Sequence, residues 1–77
     1  MASPKIYRLP VVITQDEDGY YVAEVPVLPS CFTQGKTKEE ALKNIKEVIL
    51  LCLESLSEEG GKVPEKYSLE HVEVAVP

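Results

Sequence analysis

The stretch TKEEALKNIKEVILLCLESLSEEGG, residues 37–61, indicates one long amphipathic helix that runs from Thr37 to about Glu58. Thr37 and Glu40 have the spacing of a capping box, in which the hydroxyl accepts from an early helical amide and the carboxylate reaches back. Gly60-Gly61 ends the helix, because glycine readily adopts the left-handed cap conformation. Apolar residues recur every three or four positions, so one side of the helix is expected to cover a sheet. They are Ala41, Leu42, Ile45, Val48, Ile49, Cys52, Leu53 and Leu56.

The residues ahead of the helix predict three antiparallel strands. Residues 6–14 are rich in β-branched and aromatic side chains, and Pro10, which cannot donate to a ladder, indicates an edge strand or a bulge. Asp18-Gly19 closes a turn into the second strand, residues 20–25, since glycine supplies the positive φ that a hairpin requires. A short third strand is expected at residues 31–34.

Two further segments complete the predicted fold. Val25-Pro26-Val27-Leu28-Pro29 has two prolines three residues apart, so we expect a stiff, extended connection there. Val72-Glu73-Val74-Ala75-Val76 alternates in character and predicts a final strand after the helix. The order β-β-β-α-β predicts an α+β fold: a three-stranded antiparallel sheet, one long helix and a final strand, in a single domain over residues 1–77.

The small size of the chain limits its core. A domain of 77 residues buries only about 60–65% of the surface that its unfolded form exposes, so homo-oligomerisation, as a dimer or higher, is expected to supplement a marginal core. No N-terminal stretch resembles a signal peptide, and the longest apolar run, residues 48–53, is far too short to span a membrane. A cytoplasmic protein with reduced thiols is the resulting expectation.

The chain is acidic, with 13 carboxylates, 8 basic side chains and a formal net charge of −5. A negative domain repels phosphate backbones, so direct binding to nucleic acid is not expected. Acidity suits a basic protein partner, because opposite fields accelerate encounter and suppress wrong partners. It is also what keeps many proteins in solution, and on the charge alone this second interpretation is the favoured one.

The candidate reactive groups are few. Asp16-Glu17-Asp18 offers carboxylates to a cation, but acidic residues beside a glycine are also ordinary turn formers. Cys31 and His71 form a conceivable nucleophile and base, whereas Cys52 lies within the apolar stripe of the helix. We therefore expect inert thiols, no metal, no cofactor and no enzymatic activity.

Two leucines and the glutamates near the helix end predict an interface. Leu50 and Leu51 flank the apolar stripe on opposite sides and widen it beyond what one small sheet would cover. Either the termini or the loop at residues 61–63 packs against them, or a partner chain does. Together with Glu54 and Glu58, they are the predicted partner or subunit interface, whereas the glutamates taken by themselves indicate a solvated helix end.

The ordered motifs of the chain resemble those of the HicB-like antitoxin family over about residues 7–58. The family's usual Pro-Asp-Leu-Pro-Gly-Cys is altered, since Val27 replaces the aspartate and Ser30 replaces the glycine. The segments that carry the resemblance are DEDGYYVAEVP at residues 16–26, LPSC at 28–31, TQGKT at 33–37, EAL at 40–42 and NIKE at 44–47.

The resemblance implies a partial ribonuclease H-like β-β-β-α-β domain. It also implies an antitoxin that neutralises HicA, a small basic toxin that cleaves mRNA. Residues 6–14 contain no carboxylate, so nuclease activity is not expected despite that fold. Many members carry a C-terminal DNA-binding module; this sequence stops at Pro77, so a stand-alone domain without promoter binding is expected. The alternative is a homo-oligomeric scaffold or regulatory protein with another partner.

Overall fold

The computed structural model describes residues 6–77, which form three strands followed by one long helix. The sheet is antiparallel and every strand has four residues, whereas the helix has 21. The predicted α+β fold, with a three-stranded antiparallel sheet and one helix, is confirmed. The elements are β1 (Val12–Gln15), β2 (Tyr21–Glu24), β3 (Phe32–Gly35) and α1 (Lys38–Glu58).

The sheet order is β1-β2-β3, so β1 and β3 are its two edges. Ile13 pairs with Ala23, and Ala23 pairs with Thr33, which aligns the inward-facing side chains of the three strands. The edge position that Pro10 indicated is confirmed. The strand itself begins only at Val12, because Pro10 cannot donate and residues 6–11 have no ladder partner in the described chain.

The hairpin between β1 and β2 is organised by one carboxylate. Asp16 Oδ1 accepts from the backbone amides of Asp18 at 3.0 Å and Tyr20 at 2.9 Å. The Asp16 amide donates to the Tyr20 carbonyl at 2.8 Å, and Gly19 adopts a φ of 89°. The turn prediction is confirmed, since an aspartate that caps its own loop and a left-handed glycine both favour chain reversal.

The connection between β2 and β3 is a compact turn, so the predicted extended segment is wrong. The Leu28 amide donates to the Val25 carbonyl at 3.2 Å, which closes a four-residue turn with Pro26 at its second position. Proline favours that position because its ring presets φ. Ser30, at the place of the family's glycine, has a φ of 54° in the left-handed region. Val25 and Cys31 then close the turn, where an amide-to-carbonyl bond of 2.9 Å joins them.

Both ends of α1 lie where the sequence predicts them. Thr37 Oγ1 accepts from the Glu40 amide at 3.0 Å; the return bond from the Glu40 side chain is not formed among the described residues. At the other end the Gly60 amide donates to the Ser57 carbonyl and the Gly61 amide to the Leu56 carbonyl. This pair of bonds, with a φ of 76° at Gly60, is a Schellman motif.

The core lies between the first half of α1 and the strands β2 and β3. Gly35 lets the sheet approach the helix closely, because a Cβ at this position would lie 2.5 Å from the Ala41 amide nitrogen. Asn44 adds a bond of 3.0 Å from its side-chain amide to the Gln34 carbonyl on β3. The buried residues are Ala23, Val25, Leu28, Cys31, Ala41 and Ile45.

The helix is much longer than the sheet that it covers. At 1.5 Å per residue α1 extends about 31 Å, whereas a four-residue strand extends about 13 Å. The second half of the helix therefore projects beyond the strands, and its apolar residues, including Cys52, Leu53 and Leu56, are only partly buried. This overhang leaves much of the C-terminal half of α1 accessible to other chains.

The predicted final strand at residues 72–76 is wrong for the single chain. Residues 62–77 contain neither helix nor strand. A strand requires a neighbour to receive its hydrogen bonds, and nothing in the described chain pairs with this segment. The likeness to ribonuclease H, which depends on the complete β-β-β-α-β order, stays a prediction.

Candidate protein-binding surface

The overhanging half of α1 carries two exposed leucines. The exposed fraction of the side chain is 67% for Leu50 and 66% for Leu51. Neither the loop at residues 61–63 nor the C-terminal segment covers them, so the interpretation that these segments pack against the two leucines is wrong. The contact of these leucine side chains with water is unfavourable in free energy unless another chain covers them.

The predicted glutamates lie on the same side of the helix. Glu54 follows Leu50 by four residues and Leu51 by three, while Glu58 follows Leu51 by two turns. At 100° per residue the four positions fall within about 100° of the circumference, and all four are exposed. We call Leu50, Leu51, Glu54 and Glu58 the outer helix surface.

The charge on the C-terminal half of the helix has a single sign. Residues 47–59 include four glutamates and no lysine or arginine, and the last helical turn has no basic residue. The helix dipole adds partial negative charge at the same end. Two exposed apolar side chains within an acidic field suit a partner that is basic at its rim and apolar at its centre.

An open groove adjoins the outer helix surface and was not predicted from the sequence. It has a volume of about 440 Å³ and runs between the helix and the Pro29-Ser30 turn, with Leu51 and Cys52 on its helical wall. The groove exists because the turn rises beside the overhanging helix. The substitution at Ser30 was the only signal in the sequence that this turn has an unusual backbone.

Cys31 lacks the surroundings that activate a cysteine nucleophile. Cys31 is 1% exposed, and burial, a hydrogen bond with Cys52 and the charge of that neighbour raise the pKa of the Cys31 thiol from 9.0 to about 12. A nucleophilic cysteine requires the opposite shift. His71 lies exposed in the C-terminal segment and has no hydrogen bond with Cys31 in the described chain, so the structure does not bring the conceivable pair together.

The acidic turn is a structural feature. One oxygen of Asp16 is used by two backbone amides, while Glu17 and Asp18 are exposed. Within residues 6–77 there is no group of three or more histidine, cysteine, aspartate or glutamate side chains that could hold a metal ion. The turn is explained by its own hydrogen bonds.

The pattern of strands, turn and helix matches a known family. The family described as the HicB_like antitoxin of bacterial toxin-antitoxin systems matches residues 9–76. The chain belongs to the HicB-like antitoxin family. The resemblance found in the motifs is therefore confirmed, and membership of an antitoxin family implies a toxin partner of some kind.

Relatives of this HicB-like chain come from archaea and bacteria. It is 65% identical to a UPF0150 protein of Thermoplasma acidophilum over 54 residues, which cover 70% of this chain and 78% of the relative. A UPF0150 protein of Synechocystis is 45% identical over 65 residues, covering 83% of this chain and 82% of that protein. The protein named Antitoxin HicB 1 of Photorhabdus laumondii is 35% identical over 60 residues, 78% of this chain and 39% of the longer relative. Within the described residues no helix is long and apolar enough to cross a membrane.

Proposed function

We propose that this chain is a non-catalytic antitoxin that binds and neutralises a small basic HicA-type toxin that cleaves mRNA. The family match and the similarity to a protein named as a HicB antitoxin support an antitoxin role. The outer helix surface supports the choice of a basic partner. Inhibition then consists of covering the toxin's RNA-binding surface with a negatively charged protein.

The apolar and the acidic side chains of the outer helix surface have different roles in binding. Leu50 and Leu51, each about two-thirds exposed, enter an apolar depression on the toxin and lose their contact with water. Glu54 and Glu58 lie at the rim, where they attract lysine and arginine side chains. The groove beside Leu51 accepts one apolar side chain of the toxin in return.

The experiment first determines whether the adjacent reading frame encodes a short basic protein, and it then uses that protein as the toxin. Co-expression with the wild-type chain is expected to relieve growth arrest and to give a complex that purifies intact. The double variant Leu50→Ser/Leu51→Ser is expected to weaken binding at least tenfold, as loss of a buried apolar centre does. Calorimetric titration measures both affinities, and circular dichroism verifies that the variant is folded.

A charge-reversal pair tests the rim. Glu54→Lys/Glu58→Lys is expected to slow association and to reduce its dependence on salt. Glu17→Lys/Glu39→Lys changes the net charge equally at exposed positions away from the surface, so it serves as the matched control. Absence of any complex with the wild-type chain contradicts the toxin assignment, whereas equal effects of the two pairs contradict the outer helix surface alone.

A further inference from the structure

The C-terminal segment has the sequence of a strand but no ladder. Val72, Val74 and Val76 are 80%, 75% and 85% exposed, although β-branched residues in alternation suit a half-buried sheet position. Residues 68–77 contain no strand in the single chain. We call residues 68–77 the tail. Its backbone amides and carbonyls are available to any sheet edge that comes beside them.

The chain as a whole exposes more surface than a compact protein of its mass. Its accessible surface is 6729 Å² for 8.5 kDa, whereas a compact monomer of that mass exposes about 4,650 Å². The excess of about 2,000 Å² per chain exceeds the roughly 800 Å² that each partner buries in a standard interface, and it falls in the range of obligate dimers. The radius of gyration agrees, at 14.8 Å against about 11.5 Å for a compact chain of this length.

The tail leaves the body of the protein beside the segment that precedes β1. The Tyr67 hydroxyl donates to the Arg8 carbonyl at 3.4 Å, and residues 63–67 line one groove together with residues 6–9. Beyond Tyr67 the ten residues of the tail reach about 33 Å when extended. Residues 6–9 lead into β1, whose outer edge is free because β1 pairs only with β2 in the described chain.

The apolar row that leads into β1 matches that of the tail. Leu9 and Val11, which precede β1, and Ile13, which lies on it, alternate along the chain and pack only partly against the core, since α1 covers β2 and β3. The three valines of the tail have the same two-residue spacing. A tail strand paired along β1 and the residues just before it therefore places its valines beside this row and extends the apolar layer past the part that the helix covers.

We propose that residues 72–76 of one chain pair with the β1 edge of a second copy, and that the exchange is reciprocal. Each copy supplies one free strand and one free edge, so a twofold arrangement satisfies both tails at once. The exchange also protects the exposed edge of β1 from unspecific pairing. A second copy is the occupant because the excess surface of each chain has the size that a dimer buries and because every copy brings the same two unpaired elements.

Solution mass and hydrogen exchange of the full chain test this exchange. Multi-angle light scattering at micromolar concentration is expected to give the mass of two chains. Val74→Pro fixes φ at about −65°, away from strand geometry, and removes one backbone donor, so it is expected to raise the dimer dissociation constant more than tenfold. Val74→Thr keeps the amide and the β-branched shape, so it is the matched control and is expected to remain dimeric. Because Val74 is 75% exposed, neither change disturbs the monomer fold, which circular dichroism verifies.

Three outcomes distinguish the tail from other contacts. In the wild-type dimer, slow amide exchange is expected at residues 72–76 and along β1, and dilution is expected to accelerate both together while β3 stays unchanged. A monomeric wild-type chain overturns the proposal, and so does a Val74→Pro variant that stays dimeric. Leu50→Ser/Leu51→Ser is expected to remain a dimer; its dissociation would assign self-association to the outer helix surface instead.

Discussion

Replacing Gly35 by alanine tests how closely the sheet and helix must approach each other. A Cβ at this position would lie 2.5 Å from the Ala41 amide nitrogen and 2.9 Å from the Glu40 carbonyl carbon. Ordinary van der Waals contact begins at 3.4 Å, so sheet and helix backbone must separate by about 0.9 Å, the difference between 3.4 and 2.5 Å. No side-chain rotation relieves a contact between two backbones, and Ala41 itself is fully buried.

The expected cost follows from that displacement. Overpacking of a dense core costs about 1–3 kcal/mol, and a backbone contact belongs at the upper end of that range. Alanine restricts the unfolded chain more than glycine does, which offsets about 0.4–1 kcal/mol of this cost. The free energy of unfolding is therefore expected to fall by about 2–3 kcal/mol. A chain of 77 residues has a free energy of unfolding of about 4–12 kcal/mol, so Gly35→Ala removes a large share of it. The melting temperature is expected to fall by about 8–24 °C.

Gly61→Ala is the matched control because its clash has the same distance and another cause. A Cβ at Gly61 would lie 2.5 Å from Leu56 Cδ1, the far end of a flexible side chain. Leu56 can change rotamer, so this variant is expected to lose no more than about 1 kcal/mol. Urea denaturation followed by circular dichroism measures both variants. Equal losses would refute the reasoning, since distance alone would then set the cost whatever the neighbouring atom is.

Two further substitutions test the turn and the buried thiol. Ser30→Gly is expected to raise the free energy of unfolding by about 0.5–1 kcal/mol. A non-glycine residue at a φ of 54° costs about 1–2 kcal/mol, and the greater entropy of glycine in the unfolded chain offsets part of the gain from removing that strain. Ser30→Val is expected to lower the free energy of unfolding, and a melting temperature for Ser30→Gly at or below wild type contradicts the reasoning. The pKa of the Cys31 thiol is about 12 in the folded chain and 9.0 in the unfolded chain, so unfolding above pH 9 releases a proton. The contribution of the neutral thiol to folding stability is therefore fully present below pH 9 and is lost as pH rises toward 12. Melting curves from pH 8 to 11 are expected to show the stability difference between wild type and Cys31→Ala narrowing with pH, and a constant difference contradicts this.

The helix was the most predictable part of the molecule because its signals are local. Thr37 at one end and Gly60-Gly61 at the other act through hydrogen bonds within a few residues, so their spacing alone locates α1. The sequence predicted an extended connection at residues 25–29 instead of a turn, because proline fits both extended segments and the second position of a tight turn. The choice between them depends on the bond from Leu28 to Val25 and on burial of Leu28, which only the folded chain decides.

The exposed helix face that carries the candidate surface was predictable from the sequence, but its geometry was not. The spacing of Leu50, Leu51, Glu54 and Glu58 follows from helical periodicity, and the exposure of all four is consistent with the predicted interface. The groove beside Leu51 depends on where a non-local turn meets the helix, which sequence spacing does not contain. The final strand is not formed in the single chain for a related reason, since a strand pattern does not specify which chain supplies the neighbouring strand.

The two proposed contacts use different parts of the same chain, and this separation follows from the sheet order. The helix packs on β3 and β2, so the outer helix surface faces away from the sheet, while the free edge of β1 lies at the sheet side that the helix does not cover. A second copy bound along β1 therefore leaves Leu50 and Leu51 accessible. Each dimer then presents two outer helix surfaces, and the exchange fixes their spacing. Toxin binding with a ratio of two toxins to two chains is the stoichiometry that this arrangement requires.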